Sequence, residues 1–111
     1  MSKVYISQES LNIDYTEAKR FGEVEFVTDL EFSLLDSSLK NRRIMDRIRE
    51  IEDAFDPIAD FVVMTGSPIT FGIFFHRLAV KATGHGMPIK LLVWDRRLRQ
   101  YKSVVLTAEF L

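Results

Sequence analysis

The sequence predicts an α/β domain: a five-stranded mixed, mainly parallel sheet in the order β-β-α-β-α-β-β, finished by a C-terminal β-hairpin. Three observations predict it. Asp60–Thr65 and Ile89–Asp95 are apolar on both parities, as strands covered on two sides are. Two longer stretches change to helical period, one before and one between these strands. Strand-helix-strand units imply parallel pairing through right-handed crossovers, in two layers or three. With 111 residues, 47% of them hydrophobic and 28% charged, the chain reads as a single domain over 1–111.

The elements follow in order. Val4-Tyr5-Ile6 is a short apolar run between polar residues, and Glu23–Thr28 alternates charged with apolar, so both read as strands, the second with one wet face. Between them, Tyr15–Phe21 has room for one or two helical turns ending at Gly22, a residue suited to a left-handed stop. Ser37 and Ser38 are N-cap candidates for an amphipathic helix in which Ile44, Ile48, Ile51 and Phe55 recur at spacings of four, three and four; Asp56-Pro57 ends it. Gly66-Ser67-Pro68 turns the chain out of the third strand. The second helix, Ile69 to about Thr83, is apolar nearly all round and is expected to be largely buried, with Gly84 and Gly86 stopping it. After the strand Ile89–Asp95, the charged connection Arg96–Gln100 leads to Tyr101–Thr107, which pairs back as a hairpin.

Several chemistries are excluded by residue count. Without cysteine there is no disulfide, thiolate metal site or cysteine nucleophile, and two histidines, His76 and His85, do not make a histidine-rich metal site. His76, among phenylalanines, reads as a satisfied buried or half-buried side chain, and His85, between two glycines, as exposed. No nucleophile, base and oxyanion donors can be assembled, so no catalytic residue, metal or cofactor is assigned. No apolar run reaches the roughly 18–20 residues of a membrane span, and the N-terminus turns polar at Ser7-Gln8-Glu9 before a signal-peptide core forms. The expectation is a cytoplasmic protein.

The net charge of −1 conceals an asymmetry: residues 1–36 carry three basic and eight acidic groups, residues 37–111 twelve and eight. Opposed acidic and basic faces are one outcome, pairing across the fold the other. Lys40, Arg42, Arg43, Arg47 and Arg49 are interleaved with Asp46, Glu50, Glu52 and Asp53, the pattern of a solvated helix face with pairs at spacings of three and four. Lacking aromatic platforms, this run argues against nucleic-acid binding.

Ligands of open parallel sheets bind outside the carboxyl ends of the strands. One such end is Thr65-Gly66-Ser67-Pro68-Ile69-Thr70, where a helix N-terminus and nearby hydroxyls could receive an anion. Capping accounts for the same residues: Gly66 for the turn, Ser67 as cap, Pro68 in the first turn. The other end is Trp94-Asp95-Arg96-Arg97, where guanidiniums beside that helix start would suit a phosphate or carboxylate. The structural alternative is an Asp95–arginine pair closing a hairpin, with Trp94 in the core. Thr65, Gly66, Ser67, Thr70, Asp95, Arg96 and Arg97 are therefore the candidate ligand-binding residues, with the Gly66 turn and Asp95–Arg97 expected side by side on one edge of the sheet.

Three segments carry a resemblance: Ala18-Lys19-Arg20-Phe21-Gly22-Glu23; the strand and turn Asp60–Pro68; and Leu91–Arg96 followed by Tyr101. Together they resemble a family of small tailed-bacteriophage proteins over roughly Val4 to Leu106. In that family the turn is more often Gly-Asp-Pro, so Ser67 here argues against a mechanism needing a carboxylate at that position. The resemblance implies a virus-encoded accessory protein of the host bacterial cytoplasm and supplies no activity. Two classes are carried forward: a non-enzymatic interaction protein modulating a host or defence component, and a small-anion or nucleotide binder using Thr65–Thr70 with Arg96 and Arg97. A homodimer is also expected. If strands two to four advance in one direction, both long helices fall on one face, and Asn12–Gly22 is too short to cover all of the other.

Overall fold

The computed structural model describes residues 2–35, 38–107 and 109. Its strands are β1 (Lys3–Gln8), β2 (Glu23–Thr28), β3 (Phe61–Val63), β4 (Ile89–Asp95) and β5 (Gln100–Leu106); its long helices are α1 (Leu39–Ala54) and α2 (Pro68–Gly84), and a 3-10 helix, η1, spans Thr16–Arg20. One sheet runs in the order β2-β1-β3-β4-β5, with every pair parallel except β4–β5. The α/β architecture with a C-terminal hairpin is the one the sequence predicts.

Strand order decides the layers. From β2 the chain crosses β1 to reach β3 and then steps on to β4, so both crossovers advance in one direction and right-handedness places α1 and α2 on the same face. The step from β1 to β2 runs the other way, which puts η1 on the opposite face. Beneath the long helices, Tyr5, Val27, Val62 and Ile89 pack against Ile44, Ile48, Ile51 and Phe55 of the α1 region and Phe74, Leu78 and Ala82 of α2. The other core joins Val4, Ile6, Val63, Leu92 and Tyr101 to Tyr15 and Ala18. The Asn12–Gly22 segment thus buries the middle strands of its face, more than its length led us to expect. Trp94 and Val105 stay outside it, 43% and 51% exposed.

Several local expectations need correction. Strand β3 stops at Val63, and Met64 is exposed, because the backbone N–H and C=O of Thr65 bond the Ser7 hydroxyl rather than a neighbouring strand. Helix α2 is not largely buried: Thr70, Phe74, Leu78, Ala79 and Ala82 face inward, while Ile69, Gly72, His76 and Val80 form an exposed stripe, since none of the described residues packs on its outer side. His76 is accordingly exposed rather than half-buried, and His85 is exposed as expected. Gly22 has no left-handed backbone; a side chain there would approach the Ser2 carbonyl oxygen to 2.6 Å, where Glu23 N–H bonds that oxygen. The wet face expected of β2 is half-covered by α1, whose Arg47 reaches Glu25.

Helix ends follow the expected chemistry in part. Ser38 occupies the N-cap position of α1 without a side-chain cap bond, and Ser37 lies outside the described residues. Asn41 instead ties the preceding loop down, its amide accepting from Ser33 N–H at 2.7 Å and donating to Ser33 C=O at 2.8 Å. Helix α2 ends as a Schellman motif: Met87 N–H reaches Ala82 C=O, Gly86 N–H reaches Thr83 C=O, and Gly86 takes φ +67°.

Candidate functional site

The carboxyl ends of β1 and β3 mark the point where crossovers diverge to opposite faces, the usual ligand position in such sheets. Here that position is filled by the chain itself. Gly66 takes φ +78° and Ser67 caps α2, its hydroxyl accepting from Thr70 N–H, with Pro68 opening the helix. The buried Gln8 side chain then inserts: its amide oxygen accepts Ser67 N–H at 2.8 Å and its amide nitrogen donates to Glu31 at 3.3 Å. Thr65 donates its hydroxyl to Gln8 C=O, and Tyr15 accepts Ser10 N–H at 2.9 Å. The capping reading therefore describes the Gly66 turn, and Gln8 occupies a donor an anion would need.

Because β3 and β4 are parallel neighbours, the Gly66 turn and Asp95–Arg97 lie at the same edge of the sheet, as the sequence predicts. They do not form one cluster. Thr70 is fully buried, and its hydroxyl has no hydrogen-bond partner among the described residues. Asp95 closes the hairpin by accepting Arg97 N–H at 2.9 Å and Leu98 N–H at 3.2 Å, and its ionic partner is Lys102, 3.0 Å away, not an arginine. The Lys102 ammonium, followed by these backbone donors, holds the Asp95 carboxyl below its ordinary pKa. Trp94 is not in the core either. It lies half-exposed against Tyr101, ring centroids 5.0 Å apart and edge-on.

A crevice of about 940 Å³ opens where these loops meet. Its cause is a mismatch of strand lengths: β3 pairs with β4 at Val62–Leu91 and Val63–Leu92 and then ends, whereas β4 continues to Asp95 against β5. The crevice is lined by Val63–Thr65 at the end of β3, by Asn12–Asp14, Thr16 and Glu17, by Leu91–Trp94 and Tyr101 of the hairpin, and by Phe71 and the exposed Arg96 and Arg99. Of the predicted residues, Thr65 and Arg96 line it; Gly66, Ser67, Thr70, Asp95 and Arg97 do not. Sequence reasoning missed Arg99, the Asn12–Glu17 wall and Phe71. Only Arg99 carried a signal, a bulky residue at the end of a short hairpin turn, where a left-handed backbone is common.

The acidic groups of the crevice are already engaged. Asp14 accepts the Thr16 hydroxyl at 2.6 Å and the Thr16 N–H at 2.9 Å, and these bonds, the hydroxyl's foremost, hold its pKa low. Desolvation alone would raise Glu17, but Tyr101 N–H at 2.6 Å and Arg20 at 2.7 Å outweigh it and lower its pKa. Arg20 also donates to Tyr101 C=O at 2.9 Å. By contrast, Arg96 and Arg99 are exposed and have no salt-bridge partner among the described residues. Among those residues, no group of three His, Asp or Glu is placed to hold a metal ion.

Fold and crevice together define a small two-layer α/β protein with an open sheet edge and an apolar cleft rimmed by arginine. The chain belongs to the phage Pam3 gp32-like protein family, whose model matches residues 2–108. That agrees with the bacteriophage resemblance seen in the sequence. Comparison with curated proteins and with solved structures gave no match. Among the described residues, no helix is long and apolar enough to cross a membrane.

Proposed function

We propose that this phage protein is an interaction protein rather than an enzyme, acting in the host cytoplasm on a host or defence component, and that it works as a homodimer. The observation that carries this reading is the outer edge of β5. Tyr101 donates its N–H to Glu17 and its C=O accepts from Arg20, so those groups face away from β4. Strand alternation turns the same groups of Ser103 and Val105 to the same side, where no strand among the described residues covers them. Lys102 to Val105 are exposed, and Val104 and Val105 present apolar side chains on opposite faces.

Such an edge is a template for another strand, and none of the usual protections, proline, bulge or an unneutralised lysine, interrupts it. Lys102 is paired with Asp95, which removes the repulsion that would oppose a second copy. Antiparallel self-pairing has one favoured register. With Tyr101 engaged by η1, a two-fold axis at Val104 sets Ser103 opposite Val105 of the partner and Lys102 opposite Leu106, away from its own copy.

Light scattering coupled to size exclusion tests this. A mass twice that of the chain at micromolar concentration, reduced to one chain by Val105→Lys, is the expected result; a single-chain mass for the wild type at high micromolar concentration overturns the dimer. A second reading, a small-anion or nucleotide binder, is favoured by the crevice beside Arg96. The bond from Ser67 N–H to Gln8 speaks against routing it through the Gly66 turn.

A further inference from the structure

We infer that the crevice between the Asn12–Glu17 segment and the β4–β5 hairpin binds an amphipathic anion: an apolar body carrying one carboxylate or phosphate group. This deepens the small-anion reading and is independent of what β5 pairs with. Volume and lining come first. At about 940 Å³ the crevice is in the size range of small-molecule sites, and Val63, Met64, Phe71, Val93 and Trp94 offer an apolar body more contact than polar partners. Met64, Val93 and Trp94 are each more than two-fifths exposed, so seating a ligand removes apolar surface from water.

Charge fixes the head group. Asp14 and Glu17 are saturated by Thr16, Tyr101 and Arg20, whereas Arg96 and Arg99, exposed residues that line the crevice, have no ionic partner among the described residues. Two planar cations at the mouth of an apolar cleft match a carboxylate or phosphate, which each can engage through paired N–H donors. An independent sign comes from the backbone. Arg99 is held at φ +51°, the left-handed conformation that glycine or asparagine adopts with less strain. A left-handed residue is common at this end of a hairpin turn, but glycine would hold it at less cost, and arginine instead adds a cation to the lining of the crevice.

The sole tryptophan lines the crevice, so its emission reports occupancy directly. The probe is 1-anilinonaphthalene-8-sulfonate, an aromatic body with one anionic group, set against the neutral N-phenyl-1-naphthylamine. The expected result is saturable quenching of Trp94 with energy transfer to the sulfonate probe, which binds at least tenfold more tightly than the neutral one. In Arg96→Ala/Arg99→Gly that preference collapses, while the melting temperature holds or rises because glycine relieves the turn. Displacement by decanoate and by decyl phosphate, with decanol as the neutral control, then separates carboxylate from phosphate. Equal binding of both probes, or a preference that survives in the double variant, overturns the anionic class while leaving an apolar site. Absence of Trp94 quenching by either probe overturns the crevice as a site altogether.

Discussion

The side-chain amide oxygen of Gln8, at the end of β1, accepts the backbone N–H of Ser67, at the start of α2, at 2.8 Å across 59 residues of sequence. That bond turns the most ligand-like feature of the sequence into a structural joint. A glutamine has taken the place of an anion at the helix N-terminus, and the neighbouring Ser7–Thr65 bonds fasten the same two chain segments.

Removing the joint is costly in two ways. Gln8→Ala strands the Ser67 donor in a part-buried position and lowers stability by about 1–2 kcal/mol. Gly66→Ala is worse, about 2–3 kcal/mol, because φ is +78° and the new methyl would lie 2.5 Å from the Gln8 side chain. Urea unfolding of both single variants and the double checks the mechanism. The double variant should lose less than the sum, since alanine at position 8 removes the Cδ and Oε1 contacts and leaves only the one at Cβ.

Thr70 offers the opposite sign. Its fully buried hydroxyl lacks a partner, so Thr70→Val replaces an unsatisfied polar group with a methyl of the same shape. Stability should rise by about 1 kcal/mol, read as a higher urea midpoint with an unchanged slope.

Two glycines should respond in contrary directions. Gly22→Ala drives a methyl against the Ser2 backbone, which has no flexible end to move, and should lower stability by about 1–3 kcal/mol. Gly72 sits exposed within α2 with open space around the position, so Gly72→Ala should raise stability by about 0.5–1 kcal/mol. Thermal unfolding of the pair, one melting lower and one higher than wild type, is the check.

The Lys3–Glu25–Arg47 chain makes stability pH-dependent. Lys3, 2.7 Å from Glu25, is the main cause of the lowered Glu25 pKa, with Arg47 adding to it. A lowered carboxyl pKa contributes stability in full above the unfolded value of about 4.3, and that contribution disappears as pH falls through the folded value. Lys3 is the mirror case: bonded to Glu25, its pKa is raised, and its contribution is present below the unfolded value and lost as pH rises through the folded one. Denaturation midpoints of Glu25→Gln should therefore fall less between pH 6 and pH 3 than those of the wild type. Parallel curves for the two proteins would refute the assignment.

Wherever a property is local, these residues announced it. Glu23–Thr28 and Ile89–Asp95 read as strands with their observed bounds, and the spacing of Ile44, Ile48, Ile51 and Phe55 named the buried face of α1, because side-chain period is set by backbone geometry alone. The capping roles of Gly66, Ser67 and Pro68 were legible for the same reason. Tertiary structure decided the rest. Nothing local says that β1 inserts between β2 and β3, that α2 exposes Val80 and His76, or that Trp94 leaves the core to line a crevice. Each depends on strands and helices far apart in the chain: strand order selects the face each crossover covers, the early end of β3 opens the cleft beside β4, and Gln8 reaches a helix start it could not identify from its own neighbours.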